Sequence, residues 1–243
     1  MNEVLTIDIG NTKAKYAVFH DKNIVESHVF NPLSDDLTLL LQRYPIINKG
    51  IISSVGGKIS ECLAQLKSIK MLVLSNETKL PFTLTYKEKS KIGADRLALV
   101  AAAFAEKPHQ TSLIIDIGTC ITYDILTDDD HHLGGPISPG MQLRFKAMHE
   151  HTALLPLCKP TNNELKLLCD NTTECLQSGV QLGVLHEIKE FIKLYSLKFN
   201  DLNVFITGGD NIFLQNQLKN YTFASSNFMF NGLRLILEYN DNQ

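Results

Sequence analysis

Leu5-Thr6-Ile7-Asp8-Ile9-Gly10, near the start of the chain, returns as Leu113-Ile114-Ile115-Asp116-Ile117-Gly118. Each copy is a short apolar run ending in Asp-Ile-Gly, followed by a polar turn and another apolar run. That is the pattern of a buried strand delivering a carboxylate to a loop. Two buried strands can share four residues by chance. Here the repeat opens each half of the chain and the same strand pattern follows it, so a duplicated unit is the better reading.

Around the first copy, Val4 to Ile9, Ala14 to Phe19 and Ile24 to Phe30 read as three strands joined by two tight turns. Leu37 to Tyr44 carries helical periodicity, Gly50 to Val55 reads as a buried strand, Ile59 to Ile69 as a helix and Met71 to Leu74 as a strand, which gives the order βββαβαβ. Around the second copy, Ile121 to Leu126 and Leu133 to Ile137 continue the strands across the turn Asp128-Asp129-Asp130. Helices follow at Met141 to Glu150 and Thr172 to Tyr195, then a strand at Asn203 to Thr207 and a helix at Asn227 to Tyr239. Pro108 ends a helix predicted from Asp95 to Ala105, so the halves divide as 1–108 and 109–243. The expected class is α/β, two βββαβαβ-type halves with ligands in a cleft between them.

Composition narrows the functional classes. With 44% hydrophobic residues over 243 positions the chain can bury its own core. The 23 basic and 26 acidic residues form no basic run suited to a nucleic-acid backbone. Five cysteines without a CxxC pair fit neither a disulfide framework nor a zinc site, which suits a reducing compartment. The opening residues lack the features of a signal peptide, and no stretch has the roughly 18 apolar residues that cross a bilayer. A cytoplasmic protein, bound to neither membrane nor nucleic acid, is expected.

In Asp8-Ile9-Gly10-Asn11-Thr12, Gly10 lets the backbone turn close to a ligand, and Asn11 and Thr12 offer amide and hydroxyl donors to a phosphate. Asp8 would repel phosphate and is better suited to holding magnesium, through water, while Lys13 and Lys15 add positive charge. An ordinary hairpin turn would also account for one such loop. The second copy repeats the device, with Thr119 as the donor. Gly93-Ala94-Asp95-Arg96 opens a helix, and Asp95 could be a simple first-turn acid. Beside phosphate loops, the same carboxylate can take a proton from a substrate hydroxyl while Arg96 anchors an anionic or polar group. Thr207-Gly208-Gly209-Asp210 could admit a flat base close to backbone. Gly134-Gly135-Pro136-Ile137-Ser138-Pro139-Gly140 reads adequately as a rigid turn. The histidines show no metal-ligand spacing.

In order and spacing, these segments, with Asn171-Thr172 through Ser178-Gly179, resemble the motif series of type III pantothenate kinases over nearly the whole chain. The resemblance implies a duplicated actin-like ATPase (ribonuclease H-like) fold and transfer of the ATP γ-phosphoryl to pantothenate, the first step of coenzyme A synthesis. By motif position it makes Asp95 the proton acceptor. It makes Tyr86, Gly93, Ala94, Asp95, Arg96 and Thr172 pantothenate contacts. Asp8, Gly10, Asn11, Thr12, Lys13, Lys15 and Thr119 match ATP-binding segments, with magnesium at Asp8. Asp116 matches a ligand of potassium or ammonium, and a homodimer places Thr172 near the subunit interface. Cys120 stands where the family's second phosphate loop usually has Ala. The alternatives are a sugar kinase or phosphatase of the same fold and a nucleotide-binding regulator without turnover. Asp95 and Arg96 argue against the regulator, which needs no base.

Overall fold

The structure is a computed structural model that describes residues 3–55, 57, 59–209, 214, 217–218 and 221–241. The chain begins β1 (Glu3–Ile9), β2 (Ala14–His20), β3 (Asn23–Phe30), α1 (Leu37–Arg43), β4 (Lys49–Ser54), α2 (Ile59–Gln65) and β5 (Lys70–Val73). It continues through β6 (Thr83–Leu84) and α3 (Ala94–Glu106) to β7 (Ser112–Ile117), β8 (Cys120–Leu126), β9 (His131–Gly134), β10 (Ile137–Pro139), α4 (Met141–Glu150) and α5 (Thr172–Lys198). It closes with β11 (Asn203–Thr207), β12 (Thr222–Phe223) and α6 (Phe228–Asp241).

Two compact units result. One comprises Met1–His109, Leu126–Leu133 and Ser226–Gln243; the other comprises Gln110–Ile125 and Gly134–Ser225. In the first, the strand order is β3-β2-β1-β4-β5, with β1 antiparallel to β2 and parallel to β4. Strand alternation sends Leu5, Ile7 and Ile9 to one face, where they pack with Ile52, with Leu37 and Leu40 of α1 and with Cys62 of α2. Each fully buried Leu or Ile of this layer stabilises the fold by roughly 1.5–3 kcal/mol.

Helix α3 owes its packing to small residues. Its run Ala98 to Ala103 is buried throughout, and α6 lies against it. A Cβ on Gly232 of α6 would stand 1.9 Å from the Ala98 carbonyl oxygen, so only glycine allows this approach. Lys107 closes α3 through its N–H to the Ala103 carbonyl, and Pro108 follows.

In the second unit β7 is flanked by β11, in parallel, and by β8; β12 extends the sheet beyond β11. Leu113, Ile115 and Ile117 face Val180, Val184, Ile188 and Ile192 of α5. The strand expected at Leu133 to Ile137 is instead two pieces, β9 and β10. Gly134 takes φ +76, and Gly135 passes so close to β8 that a Cβ would lie 2.0 Å from the Tyr123 carbonyl oxygen. Pro136 has no N–H to offer a ladder. β10 then resumes pairing, antiparallel to β8.

Candidate functional site

In the first unit, the face of β1 opposite the Leu5-Ile7-Ile9 layer carries Asp8. Its ladder partners are Lys15 on β2 and Ser53 on β4, which therefore share that face. Asp8 Oδ1 is sealed from solvent and has no hydrogen-bond partner. Burial pushes the Asp8 carboxyl up to about 6, and the charge of Asp95 pushes the same way; the Ser53 hydroxyl and Lys15 oppose the shift. Asp8 and Asp95, 87 positions apart by their numbers, are thus brought within electrostatic reach of one another. Two carboxylates within electrostatic reach, one of them buried, disfavour joint ionisation unless a cation lies near. An orphaned buried oxygen on such a pair fits the divalent metal that accompanies ATP, with Asp8 as the residue to hold it.

Asp95 sits in the first turn of α3, where the helix dipole favours its negative form. Its Oδ1 accepts from the Arg96 backbone N–H at 2.8 Å and folds over Gly93 so closely that a Cβ there would be 2.4 Å away. Gly93 is the residue before the helix and offers no side-chain cap. Arg96 is only 6% exposed, so its guanidinium acts inside the protein. Tyr86 is half-buried on the segment before α3, next to Thr85, which is anchored to the His132 carbonyl through both its N–H and its hydroxyl.

The turn from β1 to β2 is closed by the Gly10 N–H donating to the Lys13 carbonyl at 3.0 Å. Asn11, Thr12, Lys13 and Lys15 are all exposed. In the second unit the Gly118 N–H donates to the Cys120 carbonyl, and the Thr119 carbonyl accepts from the Gly140 N–H, each at 3.0 Å. A Cβ on Gly140 would fall 2.1 Å from the Gly118 carbonyl oxygen, and one on Gly208 2.3 Å from that of Ile117. The glycines of the two later motifs therefore brace the second turn. Asp116 pairs across the parallel ladder with Thr207. Asp210, the last residue of that motif, lies outside the described residues.

Thr172 is exposed at the start of α5, where the Asn171 side chain accepts from the Glu174 N–H at 3.0 Å and caps the helix. Two groups escaped the sequence reading. Ser53 is wholly buried across the ladder from Asp8, where its hydroxyl favours the ionised carboxylate; its signal is a serine at a core position of an apolar strand. Glu187 of α5 accepts from the hydroxyls of Tyr123 and Ser138 and from Arg144, whose Nε also donates to the Pro139 carbonyl. Burial would raise Glu187, but these hydrogen bonds and the Arg144 charge hold it below its ordinary value. This network pins the Gly134–Gly140 segment to α4 and α5, and no motif announces it.

Comparison with known proteins follows the same lines. Residues 4–194 match the family described as type III pantothenate kinase. Proteins named type III pantothenate kinase from Christiangramia forsetii and Flavobacterium johnsoniae are similar at 44% and 36% identity. They cover 98% and 97% of this chain and 99% and 98% of their own lengths. Among solved structures, a Baf-family chain from Campylobacter jejuni is 25% identical with TM-score 0.63, covering 98% of this chain and all 100% of that one. A glucokinase from an Antarctic psychrotroph is 13% identical with TM-score 0.55, covering 98% and 99% of the two chains, and shows the shared actin-like fold alone.

Proposed function

This chain belongs to the type III pantothenate kinase family, and on that footing we propose that Asp95 is the general base of its reaction. The enzyme phosphorylates pantothenate with ATP as phosphoryl donor and a divalent metal as cofactor, a step of coenzyme A synthesis. The observation that carries the role of Asp95 is its placement: a first-turn carboxylate held by the Arg96 N–H, over Gly93, within reach of the charge on Asp8.

As the pantothenate hydroxyl oxygen forms its bond to the γ-phosphorus, Asp95 accepts the hydroxyl proton, and the bond from that phosphorus to the β–γ bridging oxygen breaks to release ADP. Magnesium, when bound, offsets the negative charge of the phosphates as it shifts toward the leaving group. Asp8, Gly10, Asn11, Thr12, Lys13, Lys15 and Thr119 form the ATP-binding turns of this reading, because short loops rich in amide, hydroxyl and ammonium donors suit phosphate. Tyr86, Gly93, Ala94, Arg96 and Thr172 contact pantothenate, Arg96 through the carboxylate end, for which a guanidinium is the matching partner. Asp116 holds a monovalent cation, potassium or ammonium.

The enzyme is further read as a cytoplasmic homodimer of chains duplicated as 1–108 and 109–243. An apolar groove of about 470 Å³ supports the dimer; Leu143, Ala147 and Met148 of α4 and Cys175, Leu176 and Val180 of α5 line it. Leu154, Leu157, Leu167 and Leu168, between those helices, are all exposed. Large exposed apolar side chains in one segment mark an association surface. Sedimentation should report twice the mass of the chain.

The general-base reading is tested with Asp95→Asn in a coupled assay of ADP release, with and without pantothenate. Turnover should fall by about 10²–10⁴-fold at an unchanged melting temperature. Near-normal turnover would reduce Asp95 to a helix-start acid.

A further inference from the structure

The turn Gly118-Thr119 takes its shape from β10. The Gly140 N–H, at the end of that strand, donates to the Thr119 carbonyl at 3.0 Å, and a Cβ on Gly140 would already stand 2.1 Å from the Gly118 carbonyl oxygen. The two backbones therefore touch without slack, and a shift of one moves the other. β10 is three residues long and pairs with β8, and its Pro139 has no N–H to give to that ladder. A strand so short needs side chains to hold its place.

Glu187 of α5 supplies that hold. Its Oε1 accepts from the Tyr123 hydroxyl of β8 at 3.0 Å and from the Ser138 hydroxyl of β10, and its Oε2 accepts from Arg144 of α4. Arg144 returns to the same strand, its Nε donating to the Pro139 carbonyl at 2.8 Å. One carboxylate thus ties together both strands of the β8–β10 pair and the helix that follows them. Val184 and Ile188, beside it on α5, pack the helix on the sheet with apolar side chains. A half-buried carboxylate among them carries a desolvation cost that another apolar residue would avoid. What it adds is a fixed place for β10.

We propose that Glu187 is a positioning residue for ATP: through Ser138 and Arg144 it fixes β10, and through β10 it fixes the shape in which Gly118-Thr119 presents its donors to phosphate. Hydrogen bonds weaken steeply when donor and acceptor leave their narrow range of distance and angle. A turn displaced by a fraction of an ångström therefore loses phosphate affinity while the fold persists. The inference rests on the reading of Gly118-Thr119 as an ATP-binding turn.

The test is the steady-state kinetics of the full chain in the coupled ADP-release assay, alongside thermal unfolding. KM for ATP is measured at saturating pantothenate and KM for pantothenate at saturating ATP. Glu187→Gln keeps the size of the side chain and removes the charge that holds Arg144. KM for ATP should rise about 10-fold, the worth of one hydrogen bond to a charged phosphate, while KM for pantothenate stays unchanged. Arg144→Gln should do the same, and the double variant should be no worse than either single one, because both act through one network. Ile188→Val, on the same helix and in the same core, should lower the melting temperature and leave KM for ATP alone. An unchanged KM for ATP in Glu187→Gln overturns the inference, and so does a rise of the same size in Ile188→Val. A parallel rise in both KM values also overturns it, because the network would then serve the fold or the subunit contact, and fully additive losses in the double variant would break the link through Arg144. Thr119→Val separates the two layers. If it raises KM for ATP while Glu187→Gln does not, only the role of Glu187 fails; if it leaves KM for ATP unchanged, the reading of the turn fails and the inference falls with it.

Discussion

The turn after β1 has four residues, and Asn11, Thr12 and Lys13 stand exposed. The nearest atom a Cβ on Gly10 would meet is the Lys13 carbonyl oxygen, at 3.2 Å. The turn after β7 has two residues, and backbone closes on it: the Gly140 N–H donates to the Thr119 carbonyl, and Gly208 presses against Ile117. One copy of the motif has thus kept a longer loop with an ammonium on it, and the other has become a short turn braced by two distant glycines. Duplication supplied two carboxylate-and-turn devices, and their surroundings differ.

The largest effect expected from this contrast is in the brace. Gly208 has φ +100, and its Cβ would meet three backbone atoms of Ile117 within 2.5 Å. Overpacking costs about 1–3 kcal/mol and the left-handed backbone about 1–2 kcal/mol more, so Gly208→Ala should lose ~3 kcal/mol or more in urea unfolding. Gly57 is the control, with φ +76 but nothing within 4 Å of its Cβ. Gly57→Ala should cost only the backbone share. Equal losses at the two positions would show that the second turn is not held rigidly.

Next comes the charge of the first device. The Asp8 carboxyl, ordinarily at 3.8, is pushed up to about 6 by burial and by Asp95, against Ser53 and Lys15. Between those values the folded protein holds a proton that the unfolded chain releases. The resulting stability is full below the unfolded value and is lost as pH rises through the folded one. The distance from 3.8 to about 6 amounts to up to about 3 kcal/mol. Thermal unfolding without metal should therefore show stability falling from pH 4 to pH 7, and Asp8→Asn should remove that part of the fall. An identical pH profile in the variant would mean that Asp8 is not buried with its charge uncompensated.

The second device is predicted to differ in kind. With Asp116 serving a monovalent cation, turnover in sodium buffer at saturating ATP, magnesium and pantothenate should rise on adding potassium by about tenfold, or ~1.4 kcal/mol in the barrier. Asp116→Asn should blunt the rise. Equal rates in sodium and potassium would return Asp116 to a structural or magnesium role and erase the proposed division.

Much of this was legible in the sequence because strands of Val, Ile and Leu ending in Asp-Ile-Gly are a local signal, and so are Gly93 to Arg96 ahead of an apolar run. Asp95, Gly10 and Thr119 could be named from such signals. What could not be read is set by pairing across the chain. Ser53 means nothing until β4 is registered against β1, and Glu187 means nothing until α5 lies over β8. The return of α6 to the first unit depends on Gly232 meeting Ala98, two residues that look like ordinary helix content. The split of the strand at Leu133 to Ile137 was visible in Gly134-Gly135-Pro136, yet apolar flanks outweighed it.

The smallest expected change is the most exacting for the second turn. A Cβ on Gly118 would meet nothing closer than the Cys120 carbonyl oxygen at 3.8 Å and Asp116 Oδ2 at 4.0 Å, which is ordinary contact. Its φ lies outside the left-handed range that would strain alanine. Gly118→Ala should therefore keep or slightly raise stability, by about 0.4–1 kcal/mol, through the lower entropy of the unfolded chain. If the glycine serves only the turn, catalysis should be untouched as well. If it leaves room for phosphate to approach the backbone, KM for ATP should rise while the melting temperature does not fall. A paired loss of stability and activity would contradict both, and would mean that the brace from Gly140 and Gly208 leaves less space around Gly118 than its neighbours indicate.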